Sequence, residues 1–232
     1  MPIELNIVTD QGVRPWKFDF ERMVNAGYVG RNQEEVRRHI EELAAKGIPG
    51  PKKIPTLYPV IARALITDDV IEVYGEQTSG EVEYVLFIVG DEEIYVGLGS
   101  DHTDRRLEAT DIPRAKQICP NLVSRNVWPL SEVEARWDDL VIRSWAVTGG
   151  EKVAYQDGRL GLIMAPRELM DFVRSRVGSL DSMVIFSGTL GTLTGGFVHG
   201  QRFVAELVDP AVNRRLELEY EVRPLDYMDV DD

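Results

Sequence analysis

The sequence predicts a predominantly β, mixed α+β fold. Runs of β-branched and aromatic residues bounded by turn-forming residues recur along most of the chain after residue 70. Helical periodicity is confined to three stretches, which do not alternate with the strands as a doubly wound sheet requires. The clearest helix follows Gly30-Arg31-Asn32. Asn32 is placed to cap it, Glu34 and Glu35 fall in its first turn, Val36, Ile40, Leu43 and Ala44 form its apolar stripe, and Lys46-Gly47 closes it. A Pro- and Gly-rich stretch at 47–51 then leads into an extended piece at 55–60. Strands are expected at residues 70–74, 81–89, 92–98, 140–147, 153–156, 160–164, 183–187, 202–207 and 216–222. Two more helices are expected: 131–138, with Ser131 as cap and Glu134 three residues on, and 166–177, which opens with Pro166.

The 232 residues suffice for one substantial core, and one domain is expected. Within it, residues 1–60 hold N-terminal strands and a helical lid region, 61–225 the β core, and 226–232 an acidic tail. The composition, 44% hydrophobic and 28% charged, is that of a soluble globular protein. The longest apolar run, 84–89, is far too short to span a bilayer, and Met1-Pro2-Ile3-Glu4-Leu5 has no signal-peptide character, so a cytoplasmic location is expected. A lone Cys119 agrees with a reducing compartment. The net charge of −13 repels phosphate backbones and anionic membranes, and the basic residues form only short pairs, so neither nucleic acid nor membrane is an expected partner.

Candidate chemistry begins at Gly80-Glu81-Val82-Glu83, where two carboxylates open a strand that is apolar on both faces. Side chains alternate along a strand, so Glu81 and Glu83 share a row with Val85 and Phe87. Two unit charges about 4 Å apart at an effective dielectric near 20 repel by roughly 4 kcal/mol. The pair must therefore reach water, share a proton or hold a cation. If the strands around residues 81–89 and 92–98 form a hairpin, Asp101 returns to the level of the pair and three carboxylates converge. Such hard oxygen donors favour Mg²⁺, Mn²⁺ or Ca²⁺. The same spacing also fits solvent-facing glutamates at a strand start, with Asp101 in a turn.

Four pieces in order resemble the signature of the fumarylacetoacetate hydrolase superfamily: Gly80-Glu81-Val82-Glu83, Asp101-His102-Thr103-Asp104-Arg105, Lys116, and Phe186-Ser187-Gly188-Thr189. The resemblance runs from about residue 30 to residue 207 and is closest to an uncharacterised bacterial branch. It implies a mixed β-sandwich roll with a few peripheral helices and, commonly, a homodimer. It also implies one Mg²⁺ or Mn²⁺ held by Glu81, Glu83 and Asp101. The excess negative charge there calls for cations, and Arg105 and Lys116 are the candidates. His102 is expected to turn away from the site as a packing residue. Where many relatives carry Gln three residues past the Arg, this chain has Glu108, expected to pair with Arg105 or Arg106.

Small members of the superfamily carry a His-x-x-Glu pair on a lid element that activates water. The counterpart here is His39 with Glu42, about one helical turn further past Gly-Arg-Asn than usual. Residues three apart on a helix can touch, so Glu42 could orient the imidazole of a general base. The third histidine, His199, sits in a glycine-rich turn and is expected to be structural. The segment 187–196 lacks the Gly-Lys-Ser/Thr of a phosphate loop. In relatives its counterpart binds a substrate carboxylate, which the resemblance carries to Thr189 and Ser187.

The resemblance thus implies a metal-dependent hydrolase cleaving a carbon–carbon bond in a small 2-oxo acid or β-dicarbonyl of acylpyruvate type. Lys116, His39 and Glu42 are its expected catalytic residues, with Arg105, Ser187 and Thr189 binding substrate. The alternatives are a 2-oxo acid decarboxylase, hydratase or tautomerase at the same metal site, and a non-catalytic ligand-binding or scaffold protein of the same fold.

Overall fold

The computed structural model describes residues 1–45, 51 and 53–228, with the backbone alone for 35, 39 and 42–45. The chain opens with a hairpin, β1 (Pro2–Thr9) and β2 (Gly12–Asp19), followed by β3 (Arg22–Gly27), helix α1 (Gln33–Ala45) and β4 (Thr56–Val60). Short strands β5 (Leu65–Ile66), β6 (Val70–Val73) and β7 (Thr78–Ser79) lead to a long pair, β8 (Val82–Ile88) and β9 (Ile94–Asp101). Next come β10 (Thr103–Asp104), helices α2 (Arg105–Glu108) and α3 (Ile112–Ile118), and strands β11 (Asn121–Pro129), β12 (Val141–Thr148) and β13 (Glu151–Arg159). Helix α4 (Pro166–Val177) and strands β14 (Met183–Phe186), β15 (Arg202–Asp209) and β16 (Arg214–Pro224) complete the described chain. Among the described residues no helix is long and apolar enough to cross a membrane.

Nine strands make the larger sheet, in the order β2-β1-β11-β9-β8-β14-β3-β4 with β5 alongside β11. A five-stranded sheet runs β13-β12-β15-β16-β6, and β7 pairs with β10. The mixed, mostly β architecture expected from the sequence is thus the one observed. All seven residues of β8 are buried, because each of its faces meets a different core. Val82, Tyr84, Leu86 and Ile88 join a cluster shared with the five-stranded sheet, including Phe203, Ala205, Leu207, Leu218 and Tyr220. Val85 and Phe87 join a second cluster with Ile3, Leu5, Phe18, Val123, Val127, Val184 and Phe186, drawn from strands of the nine-stranded sheet, which curls around it. Glu83 belongs to this second row and lies at its end.

The ladders carry that row to the site. The β8–β9 hairpin pairs Ile88 with Ile94 and, at its other end, Val82 with Ser100. Beyond the paired residues, the Asp101 N–H donates to the Glu81 carbonyl at 3.0 Å, so Asp101 returns to the level of the glutamates as the hairpin argument requires. β14 lies against the other edge of β8, with Phe186 opposite Val85, and delivers the Ser187-Gly188-Thr189 turn to Glu83.

The structure differs from expectation at several elements. Residues 160–164 do not form a strand: Leu160–Leu162 is a 3₁₀ turn, after which Ile163 bridges Gly30. A five-residue apolar run fits a buried turn as well as a strand. Residues 131–138 are not one helix but two 3₁₀ pieces, Leu130–Glu132 and Glu134–Asp139, separated at Val133 (φ −120°, ψ −19°), and the second is itself kinked at Arg136 (φ −126°, ψ 25°). β11 escapes the periodicity through a register shift between Val123 and Val127, and α2 and α3 are too short to show one. Both helices nevertheless carry side-chain caps: the Leu107 N–H donates to Asp104 and the Arg114 N–H to Asp111.

The double burial of β8 predicts that Phe87→Ala costs about 3–5 kcal/mol of unfolding free energy. Val212→Ala, at an exposed turn, stays within about 0.5 kcal/mol of the parent. Urea denaturation followed by circular dichroism measures both.

Candidate metal centre

Carboxylate oxygens of Glu81, Glu83 and Asp101 lie within 4.8 Å of one another. Glu83 is 1% exposed and Asp101 also 1%, whereas the Glu81 side chain keeps 17% of its surface. Two cations answer them unequally. The Lys116 ammonium sits 2.6 Å from Asp101 Oδ2 and 2.8 Å from Glu81 Oε2, and donates to Thr103 Oγ1 at 3.1 Å. Arg105 donates through Nη1 to Glu81 at 3.0 Å and to Glu108 at 2.7 Å, and through Nε to Ser79 Oγ at 2.7 Å. Its guanidinium also lies 4.1 Å from the centre of the Phe197 ring. Glu83 has no ion pair with any described residue and accepts one hydrogen bond, from the Gly188 N–H at 2.7 Å.

The titration behaviour follows from this inequality. Against the upward push of burial, Arg105 and Lys116 pull the Glu81 carboxyl down to about 2. Burial, reinforced by the charges of Asp101 and Glu81, raises Glu83 well above the usual carboxylate range. Asp101 is also raised, by burial first, with Lys116 opposing. Burial alone would lower Lys116, but Asp101 and Glu81 outweigh it and keep the ammonium charged.

Local sequence explains how each group arrives. Asp104 caps α2 and starts it at Arg105, whose own N–H is tied to the Gln77 carbonyl at 2.8 Å. Asp111 caps α3, and one helical turn further on Lys116 faces the carboxylates. Gly188 has φ +82°, and a Cβ there would meet Val29 Cγ2 at 2.7 Å and the Ala26 carbonyl at 2.9 Å. Glycine therefore lets this backbone come close enough for its N–H to reach Glu83.

A cavity of ≈ 170 Å³ opens onto the centre. Glu81, Glu83, Glu108 and Lys116 line it, with Tyr28, Tyr58, Gly188 and Thr189. Other predicted groups face elsewhere. The Arg105 guanidinium is engaged by protein acceptors and does not line this cavity. Ser187 is fully enclosed, its hydroxyl donating to the Gly188 carbonyl at 2.7 Å. Thr189 does line the cavity, but its hydroxyl donates to the Val82 carbonyl and accepts from Gln156 Nε2, both at 2.6 Å. Glu108 pairs with Arg105, one of the two partners expected for it.

His102 turns away from the centre, its ring nitrogens 2.9 Å from the Tyr220 hydroxyl and 2.9 Å from Thr78 Oγ1, and burial lowers its imidazole to about 3. His199 Nδ1 lies 3.0 Å from the Thr78 carbonyl. His39 and Glu42 fall on α1, and their side chains lie outside the described residues.

Sequence reasoning missed Tyr28 and Tyr58. Tyr28 takes a left-handed conformation, φ 58°, and Gln33 clamps the turn by donating to the carbonyls of Tyr28 and Gly30 at 3.1 and 2.7 Å. Such a backbone is uncommon in a non-glycine residue, and no local pattern announces it. Tyr58 reaches the cavity through the pairing of β4 with β3, which sets it opposite Asn25. The fully buried Asn121 lies opposite Asp101 in the β9–β11 register, and its amide has no hydrogen-bond partner among the described residues.

The donor set suits a hard divalent ion: three carboxylates, two of them buried, with Glu83 lacking a cation of its own. No curated protein matches the chain in sequence. Among solved structures, Cg1458 is similar over 97% of this chain and 100% of its own, at 15% identity and a TM-score of 0.62. A 2-keto-3-deoxy-D-arabinonate dehydratase, complexed with magnesium and 2,5-dioxopentanoate, matches over 94% of this chain and 78% of its own, at 15% identity and a TM-score of 0.63. The 4-oxalocrotonate decarboxylase from Pseudomonas putida G7, complexed with calcium and acetate, gives 12% identity, coverage of 87% and 76%, and a TM-score of 0.55. At such identities these neighbours show a shared fold. The family described as protein of unknown function DUF2848 matches residues 26–220, and the chain belongs to that family.

Proposed function

We propose that this protein is a divalent-metal-dependent enzyme that draws charge out of a small 2-oxo acid, forming its enolate. The observation that carries the reading is Glu83: a buried carboxylate at the wall of a cavity, beside Glu81 and Asp101, with no cation of its own among the described residues. Glu81, Glu83 and Asp101 would hold Mg²⁺ or Mn²⁺, which supplies a Lewis acid for the substrate's carboxylate and 2-oxo group. The chain's own residues do the rest. Lys116, kept protonated by Asp101 and Glu81, donates toward the substrate oxygen on which negative charge grows. Arg105 and Thr103 hold Glu81 and the ammonium in place, so neither needs to reorganise during the reaction.

The way the enolate arises sets the reaction class: expelled when water adds to a distal carbonyl, left behind by loss of CO₂, or formed by removal of a C3 proton. Hydrolytic carbon–carbon cleavage requires an activated water, the role proposed for His39 with Glu42. The start of α1 favours it, because the Tyr28–Gln33 turn that launches the helix forms part of the cavity wall. Decarboxylation or dehydration needs no such water, and the names of the dehydratase and decarboxylase neighbours favour that second outcome. A cytoplasmic location and a homodimer complete the proposal.

Two measurements test the metal centre. Glu83→Gln should lower Mg²⁺ affinity by more than the roughly 10–100-fold that accompanies loss of an outer-shell partner, and abolish turnover of acylpyruvates and oxaloacetate. Full chelator-resistant activity in that variant would defeat the reading. Because burial raises Glu83 and Asp101, protons compete with the ion for these carboxylates, so affinity falls as pH falls. Calorimetric titration of Mg²⁺ in two buffers of different protonation enthalpy should show proton release.

A further inference from the structure

Resting on the metal-centre reading, we infer that the cavity selects a 2-oxo acid with a single carboxylate and an uncharged, hydroxyl-bearing distal end. The first ground is charge. Glu81, Glu83, Asp101 and Glu108 stand against Lys116 and Arg105, four carboxylates against two cations. A divalent ion brings that balance to zero, and the substrate's own carboxylate takes it to one negative. A second carboxylate would enter a cavity where Lys116 is the one cation among the described lining residues, and that ammonium already serves Asp101 and Glu81. Arg105 cannot turn to help, because Ser79, Glu81 and Glu108 occupy its Nε and both terminal nitrogens.

The second ground is the sense of the hydrogen bonds. A distal carboxylate needs donors and a hydroxyl can use acceptors. The Thr189 hydroxyl has no proton left to give. Gln156 is fixed by the Val82 N–H and the Ser144 hydroxyl on its Oε1, so its Nε2 donates to Thr189, whose proton therefore goes to the Val82 carbonyl. What Thr189 keeps is a lone pair. Glu108 likewise offers lone pairs, and where a neutral amide would have two protons to give it has none. Tyr28 and Tyr58 complete the wall with phenols that can donate or accept, and the Tyr28 hydroxyl has no partner among the described residues. The Gln33 clamp on the carbonyls of Tyr28 and Gly30 holds the left-handed backbone turn that presents Tyr28 to the cavity.

Calorimetric titration of the protein in excess Mg²⁺ with three probes of matched length tests the inference. They are a five-carbon 2-oxo-3-deoxyaldonate, 2-oxopentanoate and 2-oxoglutarate. The hydroxylated acid should bind about 10-fold tighter than 2-oxopentanoate, as one or two net hydrogen bonds give, and tighter again than 2-oxoglutarate. Glu108→Gln should narrow the gap between the hydroxylated acid and 2-oxoglutarate about 10-fold. Tyr28→Phe should cut the preference for the hydroxylated acid severalfold. If all three probes bind only with Mg²⁺ and 2-oxoglutarate equals or exceeds the hydroxylated acid, the selectivity falls and the metal centre stands. If none binds in a Mg²⁺-dependent way, both fall. The ranking on the unaltered protein decides the matter even where a variant fails to fold.

Discussion

Like charges gathered at the end of a hydrocarbon core set the terms for the rest of this molecule. Glu83 continues the same row of β8 as Val85 and Phe87, so it shares their burial and cannot withdraw to solvent without moving the strand. Lys116 and Arg105 neutralise Glu81 and Asp101 and leave Glu83 short of positive charge. The elements around the centre answer that deficit in part: α3 carries Lys116, α2 carries Arg105 and Glu108, and the Gly188 turn supplies one N–H. The last cation is not among them. A protein that needed only stability would fare as well with apolar residues at these places, since the attraction within buried ion clusters seldom outweighs their desolvation. Their presence points to work done there.

Much of this was legible in the sequence, and the reason is geometric. Two carboxylates two residues apart on a strand must share a face, and a hairpin of known length returns its end to its beginning; Glu81, Glu83 and Asp101 follow from those two facts. Lys116 is less legible, because its arrival depends on two short helices with no measurable periodicity, though Asp104 and Asp111-Ile112-Pro113 mark both starts. Tyr28 and Tyr58 lie beyond such reasoning: one depends on a left-handed φ and the other on the pairing of β3 with β4, a long-range fact. Ser187 and Arg105 show the converse. Motif position puts them near the metal ligands, but hydrogen bonds to Gly188 and to Ser79, Glu81 and Glu108 decide where their polar atoms point.

The Gly30-Arg31-Asn32 segment takes on a different meaning in three dimensions. Its backbone is pinned to the 160–164 turn, with the Arg31 N–H on the Leu162 carbonyl at 2.9 Å and the Met164 N–H on the Val29 carbonyl at 3.0 Å. Arg31 adds a two-pronged pair to Asp138. The launch point of α1 is thereby fixed to the core cluster.

The β8–β9 register carries one more implication. A slip of a single residue would turn Glu83, Val85 and Phe87 toward the opposite core, scattering the carboxylates and filling the inter-sheet space with the wrong side chains. Misalignment therefore cannot yield a well-packed protein with a defective centre. Correct packing of the two cores and assembly of the three carboxylates are therefore a single condition on the chain.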